Sequence, residues 1–405
     1  MESDSQRGSG GSSSRGRVLK GLPIAERPQI QIATPSLGEE EWQALRKPIE
    51  SGWLTQGPKV AEFERAFALR HGVKHAIAVT SATTGLHLAL AALGIGPGDE
   101  VIVPAFTWIA TANVVVYCGA TPVFADADCT TFNIDPKDLA RRITLRTKAV
   151  IPVHLFGLCA DMDAIRAVLR PGIAIVEDAA CAAGAMSRGR SAGTLGDIGV
   201  FSFHPRKSIT TGEGGMVTTY DDALAERVRI MRNHGASVSE EERHRGPRRY
   251  LLPEFEVLGF NHRMTDLQGA VGLVQLGKLD TFIEERARMA ARYRNELADV
   301  KWLRLPDEPS DGRHAWQAFV TYVEPTLAPK SRNEIMEALQ QKGIATRPET
   351  HAVHMLGYYR KRYGLKPKDF LGARDCDQNT MAIPLHNRMT EDDIIHVVEA
   401  IHRLR

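Results

Sequence analysis

Seven short β-rich runs, AIAVT, EVIVP, TPVFAD, KAVIPVH, IAIVED, IGVFSF and GMVTTY, punctuate residues 76–220, and helix-forming stretches separate them. Strands buried on both faces read as near-continuous apolar runs rather than alternating ones. The pattern therefore predicts an α/β domain on a mainly parallel seven-stranded sheet. Between the first two runs, TGLHLALAALG is rich in Ala and Leu and closes on Gly94, as expected of a buried helix with a glycine at its C-terminal end. GIGPGD at 94–99 follows that helix instead of a strand, so it reads as a turn and not as a dinucleotide-binding loop.

A chain of 405 residues exceeds the roughly 250–300 at which single cores stop growing, so two domains are expected. We place a large α/β domain with an N-terminal arm at 28–280 and a smaller α+β domain at 281–405. After Met264 the pattern reads as long helices, and the chain closes on a charged amphipathic helix, EDDIIHVVEAIHRLR. The first 27 residues read as a disordered tail, because MESDSQRGSGGSSSRG offers almost nothing apolar to offset the entropy of ordering. Arg15, Arg17 and Lys20 belong to that solvated tail. Lys plus Arg number 51 against 49 Asp plus Glu, a balance that gives no reason to expect nucleic acid as a partner. No apolar run reaches the roughly 20 residues of a membrane helix. Five scattered cysteines without a C-x-x-C pair suit a reducing cytoplasm and no metal.

Chemistry concentrates in four places. FSFHPRKSITTGEGGMVTT puts Lys207 in a loop between two strand-like runs, where burial and the neighbouring Arg206 are expected to lower the pKa of its amine. IAIVED ends on Glu177 and Asp178, carboxylates at the C-terminal edge of the sheet where α/β proteins bind ligands, with Asp178 the better candidate. VTSATTG sets Ser81 and Thr83 where a strand gives way to a helix, a place where backbone N–H groups and the helix dipole favour an anion, and Ser202 adds a hydroxyl. Trp108, just after EVIVP, offers a flat aromatic face. An amine, a carboxylate, an anion cradle and an aromatic face are what pyridoxal 5'-phosphate (PLP) demands of a protein. His204, three residues before Lys207, is placed to contact such a cofactor or shuttle a proton.

Beyond these single features, SGWLTQGPKVAEFE, SATTGLHLALAALGIGPGDEVIVPAFTWIATAN, VEDAACAAGA, FSFHPRKSITTGEGGMVTT, GFNHRMTDLQGAVGLVQL and IPLHNRMTEDD resemble, in that order, the sugar aminotransferases of the DegT family. The likeness spans nearly everything after residue 28. It implies the fold type I architecture of aspartate aminotransferase and a homodimer with shared active sites. It also implies transfer of an amino group from glutamate or glutamine to a nucleotide-linked 4-keto or 3-keto deoxy sugar, or in some members to a cyclitol ketone. By position it implies Lys207 as the Schiff-base lysine, Asp178 on the pyridine nitrogen and Trp108 on the ring. Ala82, Thr83 and Ser202 would contact the phosphate, and Asn261 would reach the phosphate of the neighbouring subunit. Where many members carry His or Gln, this chain has Cys181, which reads as a packing residue beside the cofactor because a thiol is a weak hydrogen-bonding group. Relatives that act as dehydratases replace the lysine with histidine, and here Lys207 stands.

Thr55 and Gln56 resemble a family segment near the active site, and His154, Arg347, His351 and His354 lie in stretches placed to line an acceptor pocket. His351 and His354 form H-x-x-H without an acidic third ligand, so no metal is expected. RHRGPRR at 243–249 is a basic loop facing solvent or a diphosphate.

Overall fold

A computed structural model describes residues 29–238, 250 and 252–404, so the expected tail and RHRGPRR lie outside the described residues. The seven runs form one sheet: β1 (His75–Val79), β2 (Glu100–Pro104), β3 (Thr121–Ala125), β4 (Thr147–Val150), β5 (Ala174–Asp178), β6 (Ile198–Ser202) and β7 (Gly215–Thr219). Their order is β1-β7-β6-β5-β4-β2-β3. Only β7 runs against its neighbours, antiparallel to both β1 and β6, while the remaining pairs are parallel. The C-terminal ends of β1, β2, β5 and β6 therefore open on one edge, and each is followed at once by a segment carrying one of the chemical groups singled out above.

Helices cover the sheet: α1 (Pro58–His71), α2 (Ala82–Ala92), α3 (Ala110–Tyr117), α4 (Asp222–Arg232) and α5 (Asp266–Glu296). Ser81 caps α2 by accepting from the Thr84 N–H, and Gly94 takes up the left-handed conformation (φ +76°) just beyond its end, as the sequence predicts. Residues of β6 alternate between faces. Phe201 and its neighbour Phe203 pack with Phe67 and Phe63 of α1, at ring-centroid distances of 5.0 and 5.2 Å respectively, leaving Ser202 for the other side.

The stretch after Met264 is one 31-residue helix rather than several. Its glycines do not break it because two of them admit a close neighbour. A Cβ on Gly269 would lie 2.8 Å from the Val60 nitrogen, and one on Gly272 would lie 2.7 Å from the Phe63 ring. Helix α5 passes without interruption through residues 280 and 281, where the sequence sets the domain boundary, and its last third packs into the second core. That core joins Ala290 and Tyr293 to an antiparallel sheet of β8 (Leu303–Arg304), β9 (Phe319–Val323) and β10 (Thr380–Ile383). Helices α6 (Arg332–Gln340) and α7 (Glu391–His402) cover it. The arm at 29–51 spans both layers: Ser36 and Glu41 accept from Gln275 in the first half of α5, whereas Ile30 reaches the second layer. Ile30 donates to the Gly343 carbonyl and packs on the smaller core, since an apolar β-branched residue gains more there than in solvent.

Gly272 and Gly277 make a matched test of the α1–α5 contact. Gly277 is exposed, and a Cβ added there would meet nothing within 4 Å, so Gly277→Ala should stabilise by about 0.5–1 kcal/mol through helix propensity. Gly272→Ala should destabilise by about 1–3 kcal/mol through overpacking against Phe63, read as opposite shifts in thermal midpoint.

Candidate active site

The four strand ends surround a cavity of about 260 Å³ lined by Ala82 and Thr83, Trp108, Asp178, Cys181, Ser202, His204 and Lys207, together with Glu349 and Thr350 from the second layer. A larger cleft, about 610 Å³, lies between the two layers along Phe132, Phe156 and Asp307. Its arginines are engaged within the protein: Arg188 with Asp163 and Asp311, Arg166 with the Leu195 carbonyl, Arg190 with the Thr194 carbonyl. The groups that can do chemistry converge on the smaller cavity.

Asp178, 5% exposed, closes β5. Its Oδ2 accepts from the Thr111 hydroxyl at 2.8 Å and its Oδ1 from the Ala180 N–H at 3.1 Å. Burial pushes its carboxyl above the usual range, against the pull of these two donors and of the Lys207 charge. A cation placed against it restores the ionised form, which is the relation a protonated pyridine nitrogen requires.

Lys207 is half-buried, and its Nζ donates to the Cys181 sulfur at 3.1 Å. Here two expectations need correction. Burial does press the amine downward, but the Cys181 sulfur and the Asp178 and Glu349 carboxylates outweigh it, so the Lys207 pKa lies above the ordinary lysine value. Arg206 is exposed and is not among the leading influences on the amine. Cys181 is more than packing, since its thiol is the direct contact of the lysine amine.

Helix α2 starts close enough to the sheet to aim its first N–H groups into the cavity because β7 begins with Gly215. A Cβ there would sit 2.8 Å from the Ala82 nitrogen. Ser202 Oγ accepts from the His204 N–H at 3.3 Å and lines the same end. Trp108 stays 54% exposed, its ring 5.8 Å from that of His351, and a two-residue ladder pairs Phe106–Thr107 with His351–Ala352. Burial and the nearby Lys207 and Arg206 charges depress the pKa of His204, with Glu213 opposing them.

Other sequence candidates land elsewhere. His154 is fully buried away from the cavity: its Nδ1 accepts from the Ala160 N–H, and its Nε2–H donates to Glu177 at 2.8 Å. Gln56 lines a separate polar pocket with Arg232 and Asn233, and Thr55 is exposed, its carbonyl accepting from the Asp266 N–H. Asn261 is exposed and outside the cavity of its own chain. His351 is exposed whereas His354 is buried edge-on to Phe370, so H-x-x-H does not converge, and no metal-binding cluster occurs among the described residues. Arg347 sits behind Glu349, its Nε 3.2 Å from the carboxylate. Thr111 and Glu349 escaped the sequence reading. Thr111 lies near the start of α3, on the face turned to β5, and only that packing brings it to Asp178.

An amine against a thiol, a buried carboxylate, a helix N-terminus and an aromatic wall at one sheet edge fit PLP, and together with the strand order they define a PLP-dependent transferase. The sequence profile of the DegT/DnrJ/EryC1/StrS aminotransferase family matches residues 35–402, and the chain belongs to that family. It is 43% identical over 374 residues to the spore coat polysaccharide biosynthesis protein SpsC of Bacillus subtilis, covering 92% of this chain and 96% of that one. It is 41% identical over 384 residues to the GDP-perosamine synthase of Caulobacter vibrioides, covering 94% and 100%. A putative sugar aminotransferase of Streptococcus pneumoniae, solved in its PMP form, superposes with a TM-score of 0.86 at 29% identity over 92% of this chain and 98% of the other. The protein is thus a PLP-dependent sugar aminotransferase, and among the described residues no helix is long and apolar enough to cross a membrane.

The Thr111 hydroxyl should matter through Asp178. Thr111→Val removes a hydrogen bond to a charged group, worth about 1.5–3 kcal/mol, and should weaken PLP retention accordingly. Without that donor the carboxyl rises further, so retention, lost as pH falls and Asp178 takes up a proton, should fail at higher pH than in the parent enzyme. Equilibrium dialysis of PLP across pH checks both the loss and its direction.

Proposed function

We propose that Lys207 carries PLP as a Schiff base and that the enzyme moves an amino group from glutamate, or glutamine, to a nucleotide-linked 4-keto or 3-keto deoxy sugar in two half-reactions. The observation that carries this is the convergence of the Lys207 amine, the Asp178 carboxylate, the α2 N-terminus and Trp108 on one cavity. Bound PLP supplies an electron sink for the charge left when a proton leaves the substrate carbon. Asp178 keeps the sink effective by holding the ring nitrogen protonated. The Lys207 amine takes the proton from one carbon and returns it to another, a task suited to a group that reaches the cavity from a loop. Ala82, Thr83 and Ser202 would hold the phosphate, Trp108 would cover the ring, and Cys181 would fix the lysine's resting position. Similarity to a GDP-perosamine synthase supports a nucleotide-linked acceptor.

The working unit we propose is a homodimer. Asn261 and Thr55 lie exposed outside their own cavity, as residues serving a neighbour's site would. Beside Asn261, the stretch from Leu252 to Leu258 leaves Leu252 80% and Leu258 84% exposed, with Phe255 and Val257 also open. Apolar surface of this kind marks an interface. We place the enzyme in the cytoplasm, where its five free thiols stay reduced.

Three measurements check the proposal. Lys207→Ala should keep its circular dichroism spectrum and lose turnover by at least roughly 10²–10⁴-fold, the range of general acid–base contributions, and normal steady-state turnover would refute the assignment. Leu258→Glu should convert a dimer into a monomer by sedimentation and remove activity with it. A monomeric Leu258→Glu enzyme that turns over at the parent's rate would refute the shared site. A substrate panel in which only cyclitol ketones react would change the acceptor and leave the amino transfer standing.

A further inference from the structure

Three carboxylates lie largely buried in or beside the cavity, and they are held very differently. Glu177 accepts from the Gly193, Leu195 and Gly196 N–H groups and from His154. Asp178 accepts from Thr111 and Ala180. Glu349, whose side chain is only 12% exposed, meets Arg347 at 3.2 Å, yet its Oε2 accepts no hydrogen bond and Arg347 Nε donates none. Its position is equally distinctive. Glu349 borders the main cavity beside Lys207 and also a small void behind it that Arg347 shares, whereas Arg347 borders only the void. The carboxylate stands between the reactive centre and the guanidinium.

A cavity that serves both half-reactions must take two unlike ligands in turn: an amino acid, which always brings a carboxylate, and a keto sugar, which brings hydroxyls around the reacting carbon. A fixed bare arginine would suit the first and burden the second with an unpaired buried charge. We propose that Glu349 is an exchangeable counter-ion for Arg347, kept on the guanidinium while a polyol fills the cavity and given up to the carboxylate of the amino donor. The proposal rests on the amino transfer set out above.

The exchange swaps one carboxylate for another, so the charge on Arg347 stays balanced, and an ion pair without aligned hydrogen bonds is the kind that yields. Burial already holds the Glu349 carboxyl above its ordinary range, against Arg347, Lys207 and Arg206. Once Arg347 is taken, Glu349 moves further in that direction and takes up a proton instead of leaving a bare charge. While it stays ionised, its oxygens accept hydrogen bonds from hydroxyls. Glu349 and Arg347 are thus specificity-determining residues that sort donor from acceptor by charge.

The test uses the PLP-loaded enzyme with succinate, a carboxylate ligand that cannot react, and calorimetric titration as the readout. Glu349→Gln keeps the shape and removes the competing charge, so succinate should bind on the order of tenfold tighter than to the parent enzyme. The double variant Arg347→Gln, Glu349→Gln should lose that gain. Succinate affinity unchanged or weaker in Glu349→Gln overturns the proposal. Should Glu349→Gln fail to fold, Arg347→Gln carries the test through the apparent affinities of L-glutamate and of the keto acceptor. Loss confined mainly to the amino acid supports the exchange, and equal loss for both overturns it. If the parent enzyme converts no amino donor while Glu349→Gln still tightens succinate, the counter-ion role stands and the donor reading falls.

Discussion

The Glu177 carboxylate, sealed beneath the sheet edge, is the interaction on which the site depends. It accepts three backbone N–H groups from residues 193–196 and a fourth bond from His154, so one side chain ties the loop before β6 to the segment after β4. Successive residues of a strand face opposite sides, which turns the next residue, Asp178, toward the cavity. A buried carboxylate with four donors is nearly a fixed part of the backbone. Because it cannot shift, the end of β5 cannot, and Asp178 is held at the cavity wall, where the proposed reading puts the ring nitrogen. The loop so tied leads into β6, whose last residue is Ser202 and whose continuation carries Lys207. Glu177 thus sets the distance between the carboxylate and the amine from behind the cavity, which it does not line.

Much of this is legible in the sequence because each strand of a parallel sheet ends on the same edge. Once AIAVT, EVIVP, IAIVED and IGVFSF are recognised as strands, the residues just after them must meet, and Lys207, Asp178, Trp108 and Thr83 do. What sequence does not reveal are contacts that depend on which helix face turns inward or on charges arriving from far along the chain. His154 follows a strand-like run and so looks like a ligand-edge residue. Its ring is instead consumed by Glu177 and Ala160, a pairing no local pattern signals. Burial and Arg206, the only influences visible near Lys207 in the sequence, would together strip its amine of a proton. The balance runs the other way because Cys181, Asp178 and Glu349, from distant segments, outweigh desolvation. Thr111 and Glu349 are ordinary residues until α3 and the 344–350 segment are placed.

Glycine accounts for the other hidden part. Gly215 lets the start of α2 descend onto β7, and Gly269 and Gly272 let α5 lie against α1 without a gap. The sequence shows these residues but not what approaches them, and two of the three glycines in α5 turn out to be its contact surface with α1. That single rod joins the two cores: its first half packs with Phe63 and Phe203 beneath the Lys207 loop, and its last third shares the second core with Ile344, three residues before Arg347.

The two layers are also stitched at the cavity mouth. Phe106–Thr107 pairs with His351–Ala352, and the Val353 N–H donates to the Ala105 carbonyl at 2.8 Å. The ladder immediately precedes Trp108 in one segment and follows Glu349 in the other, so the aromatic wall and the acidic wall share one small sheet. Trp108 and Lys207 follow strands of the large sheet and Asp178 closes one, so the ladder ties the second layer, and with it Glu349, to that same edge. Glu349 stands in the wall that the second layer contributes, while the other groups stand at the strand ends of the large sheet. In the reading proposed above, a change at Glu349 alters what the cavity binds while Glu177 keeps the end of β5 in place.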